Sequence, residues 1–404
     1  MNSLIRLTGD FQTARGSRPG PATLPAKGTV TPVKIMHIRK SLETALSKWP
    51  KDAIIKDILI SVEYRQIVAK SNRIREMLNG GKDKEPELSI RGARYLDFNG
   101  NRPRHLMTHY VPETTILSTI DELRECERIV VDHFDGLMNA DKMVELVKND
   151  ELKQKWNTAV SDTLTRSCFA QLIRDCYYVN EFRIEKPPTA KDKSSIVTLF
   201  KTEREPQDLF EELHIDVSPA NILENSALLT ETEYRTLLES APYLVAMSVI
   251  DLSRFAPMND EGPASPAISS LPGYPTDEPI VGVIDTPFEE KYPPYFSNWV
   301  DYKSCLPEDI HPTSSDYRHG TCVSSLIVDV QAQNPSLDDH CGHFRVRHFG
   351  VATAGKFSSF AVMKHIERIV AENQDIKVWN ISLGSMEEVS RNSISPEAAL
   401  LDKL

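Results

Sequence analysis

Six prolines fall between residues 257 and 279, at positions 257, 263, 266, 272, 275 and 279, interleaved with glycine and serine. Proline lacks a backbone N–H and holds the residue before it out of the helical region. Neither a helix nor an inner strand can therefore run through such a stretch. The chain has to fold on either side of it, and residues 256–279 read as a linker. A length of 404 residues leaves room for a hydrophobic core on both sides.

Upstream of the linker the pattern is mixed. Residues 1–32 are rich in Gly, Pro, Thr, Ser and Arg without periodicity and are expected to be a mobile arm. Residues 33–185 read as an α+β domain. In it Ile38, Leu42, Ala45, Leu46 and Trp49 share one helical face, and Ile58, Ile60 and Val62 then alternate as a strand does. Residues 80–87 read as a loop, and residues 113–176 as mostly helical with a β-like run at Ile129-Val130-Val131. A polar connector at 186–194 leads into a compact α+β module, 195–255. Its expected elements are strand Ser195–Phe200, helix Pro206–Leu213, helix Glu231–Glu239 and strand Tyr243–Ile250. Thr230 and Glu233 have the spacing of a capping box.

Beyond the linker, residues 280–404 alternate β and α. Ile280–Ile284 is a continuous apolar run, as a parallel strand buried on both faces requires. Val323, Leu326, Ile327 and Val330 form one helical stripe, and Val362, Ile366, Ile369 and Val370 another. Phe344–Val351 and Ile376–Leu383 read as further strands. The succession βαβαβ is that of a doubly wound α/β sheet, whose chemistry gathers at the carboxyl ends of its strands.

Composition narrows the function. A net charge of −11 argues against a nucleic-acid binder or a binder of anionic membranes, and the acidity is spread over both parts of the chain. Six cysteines are too sparse for a disulfide framework and read as reduced thiols, and no run of 18 apolar residues exists to span a membrane. The first 20 residues have no apolar core of a secretory signal. A cytoplasmic location is expected. No Walker A motif, and no G-x-G-x-x-G after a strand, supports a nucleotide binder.

Two residues carry the chemistry. Asp285 ends the first apolar strand in Val-Ile-Asp-Thr, and His319 is expected to open the next helix in His-Gly-Thr. Gly320 would allow a sharp turn, and Thr321 a local hydrogen bond at the helix start. A carboxylate at a strand end can meet an imidazole over the sheet edge, fix its tautomer and stabilise its protonated form. The imidazole can then act as general base toward a hydroxyl nucleophile.

Val-Gly-Val-Ile-Asp-Thr at 281–286, His-Gly-Thr at 319–321 and Asn-Ile-Ser-Leu-Gly at 380–384 together resemble the subtilisin-like serine peptidases. The resemblance covers residues 280–404 and implies an incomplete doubly wound sheet of that type. It implies Asp285 and His319 as triad members, and Ser382, Leu383 and Gly384 as the strand that pairs with a peptide or protein substrate. In that family the oxyanion Asn lies about 90 residues after the His and the Ser about 160 after it. Asn380 is therefore expected to be a buried structural residue. The family's Gly-Thr-Ser-x-Ala motif does not occur: Gly28-Thr29 is followed by Val30, and Gly320-Thr321 by Cys322. The chain is expected to be the N-terminal fragment of a subtilase, inactive by itself. The alternative is a non-catalytic peptide-binding or regulatory module.

The module at 195–255 resembles a subtilase propeptide in its position and its strand and helix succession, with an accessory domain as the other reading. Cys322 is expected to be a structural cysteine on its helix. Asp338-Asp339-His340-Cys341-Gly342-His343 has metal-binding residue types without zinc-site spacing and reads as a polar turn. No cofactor is expected. Structural Ca²⁺ comes only with the family, and no EF-hand-like acidic loop appears.

Overall fold

The structure, a computed structural model, describes residues 22–80, 86–98, 101–186, 195–252, 273–291, 294–333, 336, 342–353, 358–384 and 394–404. Most of the expected arm, of the loop at 80–87, of the connector at 186–194 and of the linker lies outside these residues. The described residues form two compact units, one up to Ser248 and the other from Val249 to Leu404 with Ile394 excepted.

The first unit opens with β1 (Thr29–Val30), α1 (Pro32–Ser47), β2 (Ile58–Tyr64), β3 (Ile90–Phe98) and β4 (Asn101–Val111). It continues through α2 (Glu113–His133), β5 (Met138–Asn139), α3 (Ala140–Lys148), α4 (Asp150–Lys155), α5 (Arg166–Tyr178) and β6 (Val179–Arg183). Residues 22–32, expected within the arm, are packed. Ala22, Leu24 and Val30 are buried, β1 pairs with β5, and the Thr31 side chain caps α1. Strands β3, β4, β2 and β6 lie in that order in an antiparallel sheet.

The period-2 geometry of β2 sends Ile58, Ile60, Val62 and Tyr64 to one face, into a core with Ile38 and Leu42 of α1 and Ile116 and Leu123 of α2. The run Ile129–Val131 is not a strand but the last part of α2. Ile116, Ile120, Leu123, Cys126, Ile129 and Val130 are buried at helical spacing, and this packing overrides the β preference of the branched residues.

The other face of the same sheet is also covered. Leu59, Leu106 and Tyr110 share a core with Val197, Leu199, Phe210, Leu229 and Leu237 of the 195–248 segment. That segment runs β7 (Ser195–Leu199), α6 (Pro206–Glu212), β8 (Ile222–Leu223), β9 (Ser226–Leu229), α7 (Glu231–Ser240) and β10 (Val245–Ile250). Its sheet order β10-β7-β9-β8 is that of a split βαβ motif. Strands β8 and β9 were not foreseen, being too short to show periodicity. The capping box is present. Glu233 Oε2 accepts from Thr230 N at 2.7 Å, and Thr230 Oγ1 accepts from Glu233 N at 3.3 Å. Polar contacts reinforce the shared core: Ile54 N donates to Tyr243 Oη at 3.0 Å, and Arg204 donates to Ile54 O at 3.1 Å.

The second unit holds β11 (Ile280–Asp285), β12 (Val300–Ser304), α8 (Ser314–Gln333), β13 (Arg345–Gly350), α9 (Ser359–Glu372), β14 (Val378–Ile381) and α10 (Pro396–Leu401). Strands β12, β13, β11 and β14 form a parallel sheet in that order. The continuous apolar run of β11 feeds both faces. Val283 packs with Phe288, Trp299, Val328 and Val346, while Ile284 packs with Phe349, Val362, Ile366 and Ile369. Helices α8 and α9 each bring apolar residues to one of these two cores, giving an α/β arrangement.

Three sequence expectations shift here. Strand β12 was unforeseen, because Val-Asp-Tyr-Lys-Ser has no apolar run. Strand β14 ends at Ile381, so Ser382–Gly384 follow it rather than extend it. In α8 the expected stripe is rotated: Val328 is buried and Leu326 is 52% exposed. Ser324 and Ser325 take buried positions on the inner face, and apolar periodicity does not see them. No helix among the described residues is long and apolar enough to cross a membrane.

Gly282 stands opposite Trp379 on β14, and a Cβ on it would come within 2.3 Å of the indole ring. Gly282→Ala should therefore cost about 1–3 kcal/mol through overpacking. Denaturant unfolding measures this, and an unchanged midpoint would contradict the packing described.

Candidate functional site

The parallel sheet places the carboxyl ends of β11 and its neighbours at one edge, and Asp285 is the last residue of β11. Its carboxylate is fully buried. Burial of a charge needs donors, and two are present. Thr286 N donates to Oδ1 at 2.6 Å, and His319 Nδ1 meets the same oxygen at 2.5 Å. Oδ2 is buried with no donor among the described residues, so the imidazole is the main side-chain partner of this charge.

His319 lies inside α8, not at its start. The helix begins five residues earlier, at Ser314, where the Asp316 carboxylate accepts from Thr313 N at 2.7 Å. The polar stretch Ser314–Arg318 has no apolar periodicity and so gave no sign of helix. Gly320 consequently serves close approach and not a turn. A Cβ there would sit 2.3 Å from Thr286 O, while Gly320 N donates to Thr286 Oγ1 at 3.0 Å. Thr321 Oγ1 accepts from Glu289 N at 2.9 Å. Three successive residues of α8 thus hold the segment that follows β11.

A second imidazole, not singled out from the sequence, completes the clamp. His348 on β13 is fully buried. Its Nε2 lies 2.7 Å from Thr286 O and its Nδ1 2.8 Å from Ser324 Oγ. A carbonyl oxygen only accepts, so Nε2 carries the proton and Nδ1 accepts from the serine hydroxyl. Asp285 likewise accepts a hydrogen bond from His319 Nδ1–H, leaving Nε2 of His319 as a lone-pair nitrogen. The side chain of His319 is 30% exposed, and among the described residues Nε2 has no hydrogen-bond partner. The only signal for His348 was its place two residues after Val346 in a strand, on the inward side.

The two rings titrate in opposite directions. The hydrogen bond to Asp285 raises the pKa of His319 above its ordinary 6.5, against the opposing effect of burial, and the charge of Asp285 adds to the rise. Burial lowers that of His348 below 6.5, with the Thr286 carbonyl and Asp285 opposing.

The remaining sequence candidates fall nearby in the chain but not on the pair. Ser382 and Leu383 are half-buried and Gly384 is exposed, and among the described residues none of the three hydrogen-bonds to Asp285 or His319. Ser382 Oγ donates to Asn380 Oδ1 at 2.6 Å, and Leu383 packs against the α9 core. Asn380 is half-buried at this strand end rather than fully buried. Cys322 is exposed on α8. Residues 338–341 lie outside the described residues, among which no group of three or more His, Cys, Asp or Glu side chains gathers to hold a metal.

The pH dependence follows with its sign. A raised His319 pKa contributes stability that is complete below pH 6.5 and lost as pH rises through the raised value. The lowered pKa of His348 contributes stability present above pH 6.5 and lost as pH falls. An NMR titration should place the His319 midpoint above 6.5, and Asp285→Asn should lower it. A wild-type midpoint at or below that value would contradict the pairing.

Residues 276–403 match the family model described as the Subtilase family, Peptidase_S8, over well under half of the chain. No curated protein matches the chain.

Proposed function

We propose that the subtilase-family segment at 276–403 carries the Asp–His half of a serine endopeptidase site that hydrolyses peptide bonds. One observation carries this reading: a fully buried Asp285 carboxylate lies 2.5 Å from His319 Nδ1, within a segment of that family. Asp285 fixes the tautomer and balances the imidazolium. His319 Nε2 takes the proton of a serine hydroxyl as it attacks the scissile carbonyl, and returns it to the leaving amine. Ser382–Gly384, beyond the end of β14, offer backbone to an extended substrate in this reading. No metal or cofactor takes part. A cytoplasmic location accords with five free cysteines among the described residues.

No Gly-Thr-Ser occurs in these 404 residues, and by the family's spacing it would fall about 160 residues after His319, so no nucleophile is assigned among them; the second reading is a peptide-binding or regulatory module without turnover. In subtilisin, loss of the serine alone costs on the order of 10⁶ in kcat. The 404-residue chain should therefore form no stoichiometric serine adduct with a fluorophosphonate probe. A site-specific adduct would overturn the reading that no nucleophilic serine lies among these residues. Where activity is measured with a serine supplied, His319→Ala should abolish it, and a kcat within about tenfold would sink the general-base role.

The segment 195–255 precedes the family segment as a propeptide would. Its shared core with Leu59, Leu106 and Tyr110 supports the other reading, a fixed accessory part. A specific protease site introduced within 187–194 tests this. After cleavage the two pieces should co-elute in size exclusion, whereas separation without denaturant would favour a releasable propeptide.

A further inference from the structure

The first unit contains a groove of about 550 Å³ whose lining includes Leu24, Pro25, Arg75, Gln171, Arg174 and Tyr178. Among the described residues its lining holds two arginines and no Asp or Glu. In a chain of net charge −11 that is an unusual local balance. Arg174, on α5, is only 9% exposed. Its guanidinium donates to Asn72 Oδ1 at 3.0 Å and lies 5.8 Å from the centre of the Tyr178 ring.

Among the described residues no carboxylate forms an ion pair with Arg174. The adjacent Asp175 is engaged elsewhere, its Oδ2 accepting from the backbone N–H groups of Arg75, Glu76 and Met77 at 2.9, 2.8 and 3.1 Å. Burial lowers the pKa of Arg174, the charge of the neighbouring Asp175 carboxylate opposes this, and the charge of Arg75 adds to the lowering. A guanidinium so placed is costly unless an anion completes it, and its planar fork matches a carboxylate or phosphate. The wall formed by Leu24, Pro25 and the Tyr178 ring is apolar. Residues 1–21, which lead in sequence to Ala22 of the lining, contain Arg6, Arg15 and Arg18 against Asp10 alone and are net positive.

We propose that this groove binds the oxyanion of a small organic acid, a phosphomonoester or a carboxylate. Arg174 and Arg75 hold its oxygens, and its carbon skeleton lies against the apolar wall. The lining belongs to the first unit, whereas Asp285 and His319 belong to the second.

Calorimetry and thermal unfolding on the full chain test this with phenyl phosphate, benzoate, inorganic phosphate and phenol. Phenyl phosphate or benzoate should bind at one site per chain and raise the melting temperature, and added salt should weaken binding. Inorganic phosphate should bind more weakly and phenol not at all. Preference between phenyl phosphate and benzoate identifies the oxyanion. Arg75→Gln, at an exposed position where folding is safe, should weaken binding by about tenfold. Arg174→Gln should abolish it, and Arg174→Lys should retain part of it. Absence of binding by both organic anions at millimolar concentration would overturn the proposal. So would an affinity unchanged in Arg75→Gln, or phenol binding as well as phenyl phosphate.

Discussion

A carboxylate with no exposure sits at the end of β11, and much of the second unit is arranged around it. Asp285 accepts one hydrogen bond from the backbone N–H of Thr286 and one from the ring of His319. An uncompensated buried charge costs several kcal/mol, so these donors have to be held in place. Gly320 brings α8 against the Thr286 carbonyl, at a distance no side chain would allow. Thr286 Oγ1 takes the Gly320 N–H, and His348 takes the Thr286 carbonyl. The result is a pre-organised imidazole with one nitrogen bound and the other open.

The two imidazoles do different work because their environments differ. His319 faces a carboxylate and is partly exposed, so its charged form is favoured. His348 faces a carbonyl and a hydroxyl among aromatic rings, 5.9 Å from Phe288 and 5.5 Å from Tyr302, so its neutral form is favoured. A neutral His348 can brace the segment after β11 without adding positive charge beside the Asp285–His319 pair.

The meeting of Asp285 with His319 was legible because each stands in a short motif at an element of clear periodicity. The α9 stripe and the Thr230–Glu233 capping box were legible for the same reason: local rules decide them. Other features depend on partners distant in sequence. Strand β12 is polar and is drawn into the sheet by β13. The start of α8 rests on the Thr313–Asp316 cap rather than on apolar spacing. His348 gains its role only when Ser324 and Thr286 come together around it. Every residue of β2 is buried, whereas the alternation of Ile58, Ile60 and Val62 implied cover on one face only; the 195–248 segment covers the other.

The opposed tautomers of the two rings give the most direct test that Asp285 orients His319. Nitrogen-15 NMR of the histidine-labelled chain, at a pH above the raised His319 pKa, reads which ring nitrogen carries the proton. The expected result is a protonated Nδ1 and a bare Nε2 on His319, with the reverse on His348. A proton on Nε2 of His319 would mean that Asp285 does not hold the ring, and would contradict the site described.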